Sequence, residues 1–229
     1  MKPEQFFKAI GAVAALVAIV LVGMSITSPL GQAQGKENQS QIQRGFAIAP
    51  VPLNLHRKNR ALVGLGSYIV NAQSDCNGCH SAGPATEFVA PHNPYFRIFI
   101  QPTKVNPATY LGGGRDLGPF PAPDPAPHID HLFSRNLTPD KTGLPEGGRT
   151  FEEFLQIMRT GVDLDHVHPN CPAANCLNPP FNGDVLQVMP WPIYHNMNDH
   201  DLRAIYEYLS AIPCIEGPPA PSVLHNDCK

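Results

Sequence analysis

The chain has 229 residues, 42% of them hydrophobic, which allows one folded domain plus an N-terminal segment. A formal charge of −3, with ten histidines counted as neutral, gives no electrostatic support for a nucleic-acid partner. Twenty-six prolines and nineteen glycines exceed ordinary usage and point to long irregular loops, modest helix and very little sheet.

Lys2 and Lys8 precede an uncharged apolar run from Ala9 to Ile26. At about 18 residues it is just long enough to cross a bilayer and longer than the usual core of a cleaved signal peptide. Gly31-Gln32-Ala33 nevertheless offers small residues in a cleavage-like arrangement, so residues 1–27 read as an uncleaved anchor or as a removed signal peptide. Either way the basic end stays inside and the rest of the chain is exported. Residues 28–59 contain Gln, Asn and Pro with scattered apolar positions and read as a tether. A helical pattern starts near Asn59 or Arg60, with Leu62, Val63, Leu65, Gly66, Ile69 and Val70 on one broad apolar face. Two glycines in that helix cost about 1 kcal/mol each relative to alanine, which marks either a weak helix end or a close backbone approach.

Next comes Cys76-Asn77-Gly78-Cys79-His80, the single C-x-x-C-H run in the chain. Two thiols at this spacing can each add to one vinyl group of a haem, leaving His80 as the proximal iron ligand. A redox dithiol and half of a zinc site are the competing readings of a bare C-x-x-C, and the adjoining histidine favours haem. One covalent haem c is therefore expected. Residues 81–133 form an elaborated loop, with room for one short strand at 95–100. Gly112-Gly113-Gly114 lacks the Gly-Lys-Ser/Thr of a phosphate cradle and reads as a flexible turn. His128, Asp130 and His131 sit in a proline-rich stretch that does not fix a ligand geometry.

Thr150-Phe151-Glu152-Glu153 is a capping box opening a helix over about 151–159, which buries Phe151, Phe154, Leu155 and Met158 and stops at Gly161. Asp163, Asp165, His166 and His168 are the densest set of potential ligands outside the haem run; a polar loop near the haem rim is the simpler reading than a metal site. Of five methionines, Met1 is the initiator, Met24 lies in the apolar run, Met158 reads as core and Met197 opens the last helix. Met189 stands apart, because Pro190 and Pro192 hold its segment extended, and a thioether on a stiff loop suits an iron ligand. Met189 is the expected second axial ligand, with His195, Met197 or an open position as alternatives. Trp191 follows, and its indole N–H would find an acceptor in a haem propionate. Asn198 caps a last helix that presents Leu202, Ile205, Tyr206 and Leu209 inward and ends before Pro213, leaving 214–229 as a C-terminal tail.

Six cysteines leave four after the haem: Cys171, Cys176, Cys214 and Cys228. In an exported protein they suggest two disulfides, and proximity favours Cys171–Cys176 and Cys214–Cys228 over the two other pairings. Free buried thiols are the alternative, and zinc is a weaker one.

These pieces, in this order, resemble a class I cytochrome c, of the mono-haem type found with bacterial periplasmic dehydrogenases and respiratory complexes. The likeness rests on Gly64-Leu65-Gly66-Ser67-Tyr68, the haem run, Asn136-Leu137-Thr138-Pro139-Asp140, Arg149 to Phe154, Met189 to Pro192, and Asp201 to Leu209. It covers roughly 60–80 and 134–213, and implies a mostly α, cytochrome c-like fold over residues 60–213 around one haem, with long Pro/Gly-rich loop insertions and little or no sheet. It further implies that the first helix crosses the last, with Tyr206 or Tyr208 and Leu209 opposite the glycines, and that Asn136 and Thr138 lie near the haem edge. The implied role is single-electron transfer from a dehydrogenase to an oxidase or another cytochrome. Haem attachment would follow export, placing the domain in the periplasm, on the inner membrane or free after cleavage. Two other roles stay open: a haem enzyme with an open distal site (a peroxidase or a sulfur-compound oxidase), and a haem sensor or structural subunit of a respiratory complex.

Overall fold

The computed structural model describes residues 29–95, 103–118, 132–164, 185–219, 222 and 224–229. Its helices are α1 (Pro29–Ile48), α2 (Arg60–Tyr68), α3 (Cys76–His80), α4 (Phe151–Thr160), α5 (Trp191–Tyr194) and α6 (Asp199–Leu209). A π-helical turn, Ile69–Gln73, joins α2 to α3, and a tight turn at Pro145–Gly148 precedes α4. Among the described residues there is no sheet, only three isolated antiparallel bridges: Phe88 with Val105, Asp116 with Phe133, and Val162 with Val185. The chain divides into two compact units, Met1–Ser40 and Gln41–Lys229. In the first, the start of α1 is described, and Gly35 to Ser40 are exposed.

The frame of the second unit is three helix segments crossing at glycines. Asn59 opens α2 by accepting hydrogen bonds from the Ala61 and Leu62 amides at 3.1 and 3.3 Å. A Cβ on Gly66 would stand 1.9 Å from the Ala204 carbonyl oxygen and 2.7 Å from the Tyr208 Cβ, so α2 and α6 meet backbone to backbone. The crossing that the resemblance implies is thus present, and Gly66 makes it. Gly64 serves a different neighbour: a Cβ there would collide with Phe46 and Ile42 of α1. The Ser67 hydroxyl closes that second crossing by donating to the Gly45 carbonyl at 2.7 Å.

The stretch expected as a tether therefore contains a helix to Ile48, and residues 41–48 belong to the packed unit. Val51 beyond it is buried, and the Asn54 amide donates to the Ala211 carbonyl at 2.8 Å. The polar sequence of α1 carries no long apolar stripe; Ile42 and Phe46 are its partly buried contacts with the core, and the glycine approach leaves no hydrophobic trace. Around these crossings Val63, Val70, Leu202, Tyr208 and Leu209 are almost fully buried. Each such apolar side chain contributes about 1.5–3 kcal/mol relative to exposure.

Residues 103–118 fold back over α3 rather than projecting from it. The Tyr110 hydroxyl lies 2.7 Å from that of Tyr208 and donates to Asn71 Oδ1 at 2.6 Å, a buried polar knot joining loop, π-turn and α6. The Leu111 amide donates to Asn77 Oδ1 at 2.9 Å, and the Gly113 amide to the His80 carbonyl at 2.8 Å. Gly113 takes φ 71° with its backbone against Arg135, so the triple glycine is a tight, bonded passage rather than a loose turn. Of the strand expected at 95–100, residues 96–100 lie outside the described residues, as do 1–27, His128, Asp130, His131, Cys171 and Cys176. Among the described residues no helix is long and apolar enough to cross a membrane.

The C-terminal tail is built in as well. Cys214 and Cys228 form a disulfide with Cα atoms 5.7 Å apart. Asn136 Nδ2 donates to the Ile215 carbonyl at 2.7 Å, and the Asn226 amide to the Glu216 carbonyl at 2.8 Å.

Candidate cofactor site

The π-turn closes where the Ser74 amide donates to the Ile69 carbonyl, and Asp75 then takes a left-handed φ of 47° that starts α3 in a new direction. A Cβ on Gly78 would lie 2.5 Å from Asp75 Oδ2, so the second intervening residue of the C-x-x-C run makes room for the Asp75 carboxylate. Asn77, buried, clips the run to Leu111. Cys76 and Cys79 are free thiols, the first half-buried and the second exposed. Burial, assisted by the charges of Asp75 and Cys79, pushes the Cys76 thiol up to about 12.

His80 is held at Nδ1, which lies 2.8 Å from the Arg135 carbonyl. A carbonyl only accepts, so Nδ1 carries the proton and Nε2 presents its lone pair. Burial keeps the imidazole below its ordinary range, in the neutral form a metal ion needs.

Cys76, Cys79, His80 and Met189 all line one cavity of about 760 Å³. Leu137, Phe154, Ile157, Val188, Ile205 and Leu209 supply much of its apolar wall. Met189 is half-buried on the segment before α5, where the Trp191 amide donates to its carbonyl at 2.8 Å. Met158, expected in the core, is there and also reaches the cavity wall. His195 and Met197 are not among the lining residues. The donor set and the apolar walls fit a haem c, whose binding residues would be Cys76, Cys79, His80 and Met189.

Trp191 takes another role. Its indole N–H donates to the Leu186 carbonyl at 3.2 Å, and its ring lies over Gly161, where a Cβ would be 2.2 Å away. Gly161 is the left-handed cap of α4, φ 70°, so the tryptophan covers that helix end instead of offering a donor to the cavity. Asn136 lines the cavity; Thr138 stands behind it, donating its hydroxyl to Asn136 Oδ1 at 2.7 Å. Asp163 is buried and paired with the Arg135 guanidinium at 2.6 Å. Its companions Asp165, His166 and His168 fall outside the described residues.

The structure adds residues that pattern reading did not single out. Arg135 orients His80 through its backbone, a role independent of side-chain type. Glu146 lines the cavity in a left-handed conformation, φ 51°, and burial raises its carboxyl above the ordinary range against the pull of Arg135 and Arg149. Tyr194 donates to the Ser74 carbonyl at 3.2 Å and is pushed up to about 12, first by burial and then by the neighbouring Cys76, Cys79 and Asp75.

No family model and no solved structure matches the chain. It is 29% identical over 152 residues to the gluconate 2-dehydrogenase cytochrome c subunit of Pantoea cypripedii, a match covering 66% of this chain and 23% of that protein. It is 23% identical over 167 residues to the fructose dehydrogenase cytochrome subunit of Gluconobacter japonicus, covering 72% and 24%. A third relative, the cytochrome c subunit of the quinone alcohol dehydrogenase of Gluconobacter oxydans, is 26% identical over 153 residues, covering 66% and 21%. The chain thus spans about a quarter of the length of these relatives, and what it shares with them is similarity to cytochrome c subunits of dehydrogenases.

Proposed function

We propose that residues 60–213 are a class I-like cytochrome c domain that binds one haem c covalently and passes single electrons. The observation that carries this reading is the convergence of Cys76, Cys79, His80 and Met189 on one largely apolar cavity, with His80 pinned at Nδ1 by the Arg135 carbonyl. When bound, the haem supplies one-electron iron chemistry. Cys76 and Cys79 would hold it through thioether bonds. His80 offers a fixed, neutral Nε2, and the Arg135 carbonyl keeps that ring from turning. Met189 offers a thioether from a proline-stiffened segment; a sulfur ligand of this kind favours the reduced iron and raises the potential. Phe154, Ile157 and Leu209 keep water from the buried face, lowering the dielectric around the site.

The relatives' names support a dehydrogenase as the electron donor. The acceptor in this reading is an oxidase or another cytochrome, and encounters would be small and transient. Residues 1–27 would direct export, and the haem domain would work in the periplasm.

The test is the optical spectrum of oxidised and reduced protein beside a Met189→Ala variant. We expect a low-spin spectrum with one haem per chain, and a weak near-red thioether–iron band that disappears in Met189→Ala but survives in Met158→Ala. A high-spin spectrum that responds to peroxide or small anions and ignores the Met189 change would overturn the carrier reading in favour of a haem enzyme.

A further inference from the structure

We propose that the disulfide-closed C-terminal segment is part of the cofactor pocket, and that His225 on it receives a propionate carboxylate of the haem. This rests on the haem reading above. Ser222, His225 and Asn226 line the same cavity as His80 and Met189, although they lie beyond the 60–213 stretch to which the cytochrome resemblance applies.

The segment is held with more bonds than a trailing end requires. The Cys214–Cys228 bridge closes it. Asn226, only 2% exposed, donates through Nδ2 to the Thr138 and Pro139 carbonyls at 2.9 and 3.0 Å. Asn136, itself on the cavity wall, donates to Ile215 and Leu224, and Lys141 pairs with Asp227. At Gly217 the chain turns with φ 71° so tightly that a Cβ would lie 2.4 Å from the Leu224 carbonyl oxygen.

Within this clamp His225 Nδ1 lies 3.0 Å from the Pro218 carbonyl. As with His80, the accepting carbonyl fixes the proton on Nδ1 and leaves Nε2 as the free end of a positioned ring. That end suits a carboxyl group in either state: the imidazolium donates to a carboxylate, and the neutral ring accepts from a carboxylic acid. A second observation on the same wall points to a ligand. Asn226 Oδ1 is buried and has no hydrogen-bond partner among the described residues, and an orphaned buried acceptor is costly unless something bound there satisfies it. Glu146 and Arg149 also line this cavity, so its polar lining carries carboxyl, guanidinium and amide groups suited to a partly protonated carboxyl. At the attachment end, Asp75 puts a carboxylate beside Cys76 instead.

The experiment is proton NMR on the reduced, diamagnetic holoprotein, with His225→Ala and the paired Cys214→Ser/Cys228→Ser variant alongside. We expect through-space cross-peaks between the His225 ring protons and the propionate methylenes of the haem. In Cys214→Ser/Cys228→Ser these should vanish while the low-spin haem spectrum persists. His225→Ala should shift the midpoint potential, because the propionate loses the hydrogen-bond partner that offsets its charge. Absence of those cross-peaks in the wild-type holoprotein, with an unshifted potential in His225→Ala, overturns the proposal. A bis-histidine spectrum that His225→Ala abolishes also overturns it, by placing Nε2 on the metal. Failure of the haem reading itself would show differently, as a wild-type protein with no haem spectrum at all.

Discussion

The cavity has two kinds of wall, and they are held by different physics. One is helical: Phe154, Ile157 and Met158 of α4 and Ile205 and Leu209 of α6 form it, with α6 braced from behind by α2 at Gly66. The other is loop: residues 103–118, 134–140, 214–219 and 224–229 are fixed by single amides and hydroxyls, each reaching a particular backbone group. On the helical side many weak contacts share the work, and any one apolar residue is replaceable by another of similar volume. On the loop side each asparagine is individually necessary, because its removal leaves a buried backbone group without a partner. The difference predicts graded damage on one wall and switch-like damage on the other.

The largest effect should come from the helix crossing itself. Gly66→Val would drive side-chain atoms into the Ala204 carbonyl, and neither backbone can retreat without unpacking Leu202 and Tyr208. We expect destabilisation of about 3 kcal/mol or more, at the upper end of overpacking costs, read by denaturant unfolding of the holoprotein. An undisturbed midpoint would mean that the helices do not touch at Gly66. Next is the loop wall's covalent tie. Replacing Cys214 and Cys228 by serine opens a loop with a sequence separation of 14, worth about 3 kcal/mol by chain-entropy arithmetic. Here hydrogen exchange should accelerate at 136–141 and 214–229 while the α2 and α6 amides stay protected. Uniform acceleration would erase the distinction between the walls.

A single amide is the sharper probe. Asn226→Ala removes donors to the Thr138 and Pro139 carbonyls, both buried, and should cost about 1–3 kcal/mol. Asn226→Asp keeps the shape and loses the donors, so it should cost as much. If the aspartate were neutral in effect, packing rather than hydrogen bonding would hold the tail.

The same contrast sets what could be read from the sequence. The haem run, the capping box, the α6 pattern and the isolated position of Met189 are local signals, and the structure brings the two axial candidates to one cavity. Trp191 misled because an indole N–H beside a cofactor loop has two kinds of acceptor, and the nearer one is the backbone carbonyl of Leu186. The helix over Pro29–Ile48 was hidden because its end docks through Gly45 and Gly64, a contact made by missing atoms rather than by hydrophobic ones. Arg135 was invisible for a plainer reason: its contact with His80 is made by a carbonyl every residue has. The tail clips of Asn136 and Asn226 join residues some 80–90 positions apart, a separation that no local pattern reports.

The smallest effect tests whether local helix chemistry is separable from the cavity. The Thr150 hydroxyl accepts from the Glu153 amide at 3.3 Å, and the Glu153 carboxylate accepts from the Thr150 amide at 2.8 Å. Thr150→Ala should cost about 1 kcal/mol. The bonds from the Thr150 backbone and hydroxyl hold the Glu153 carboxyl below its ordinary value of 4.5. A depressed carboxyl contributes stability that is complete above the unfolded-state value and is lost as pH falls through the folded one. The penalty of Thr150→Ala should therefore be constant near neutrality and shrink as pH falls below the ordinary carboxyl value of 4.5, as protonation removes in the wild type part of what the mutation removes. The near-red band should not change in this variant at neutral pH, since α4 caps itself without help from the cavity. A penalty that grew on acidification would show Glu153 to be stabilised in its protonated form, opposite to the geometry of the box.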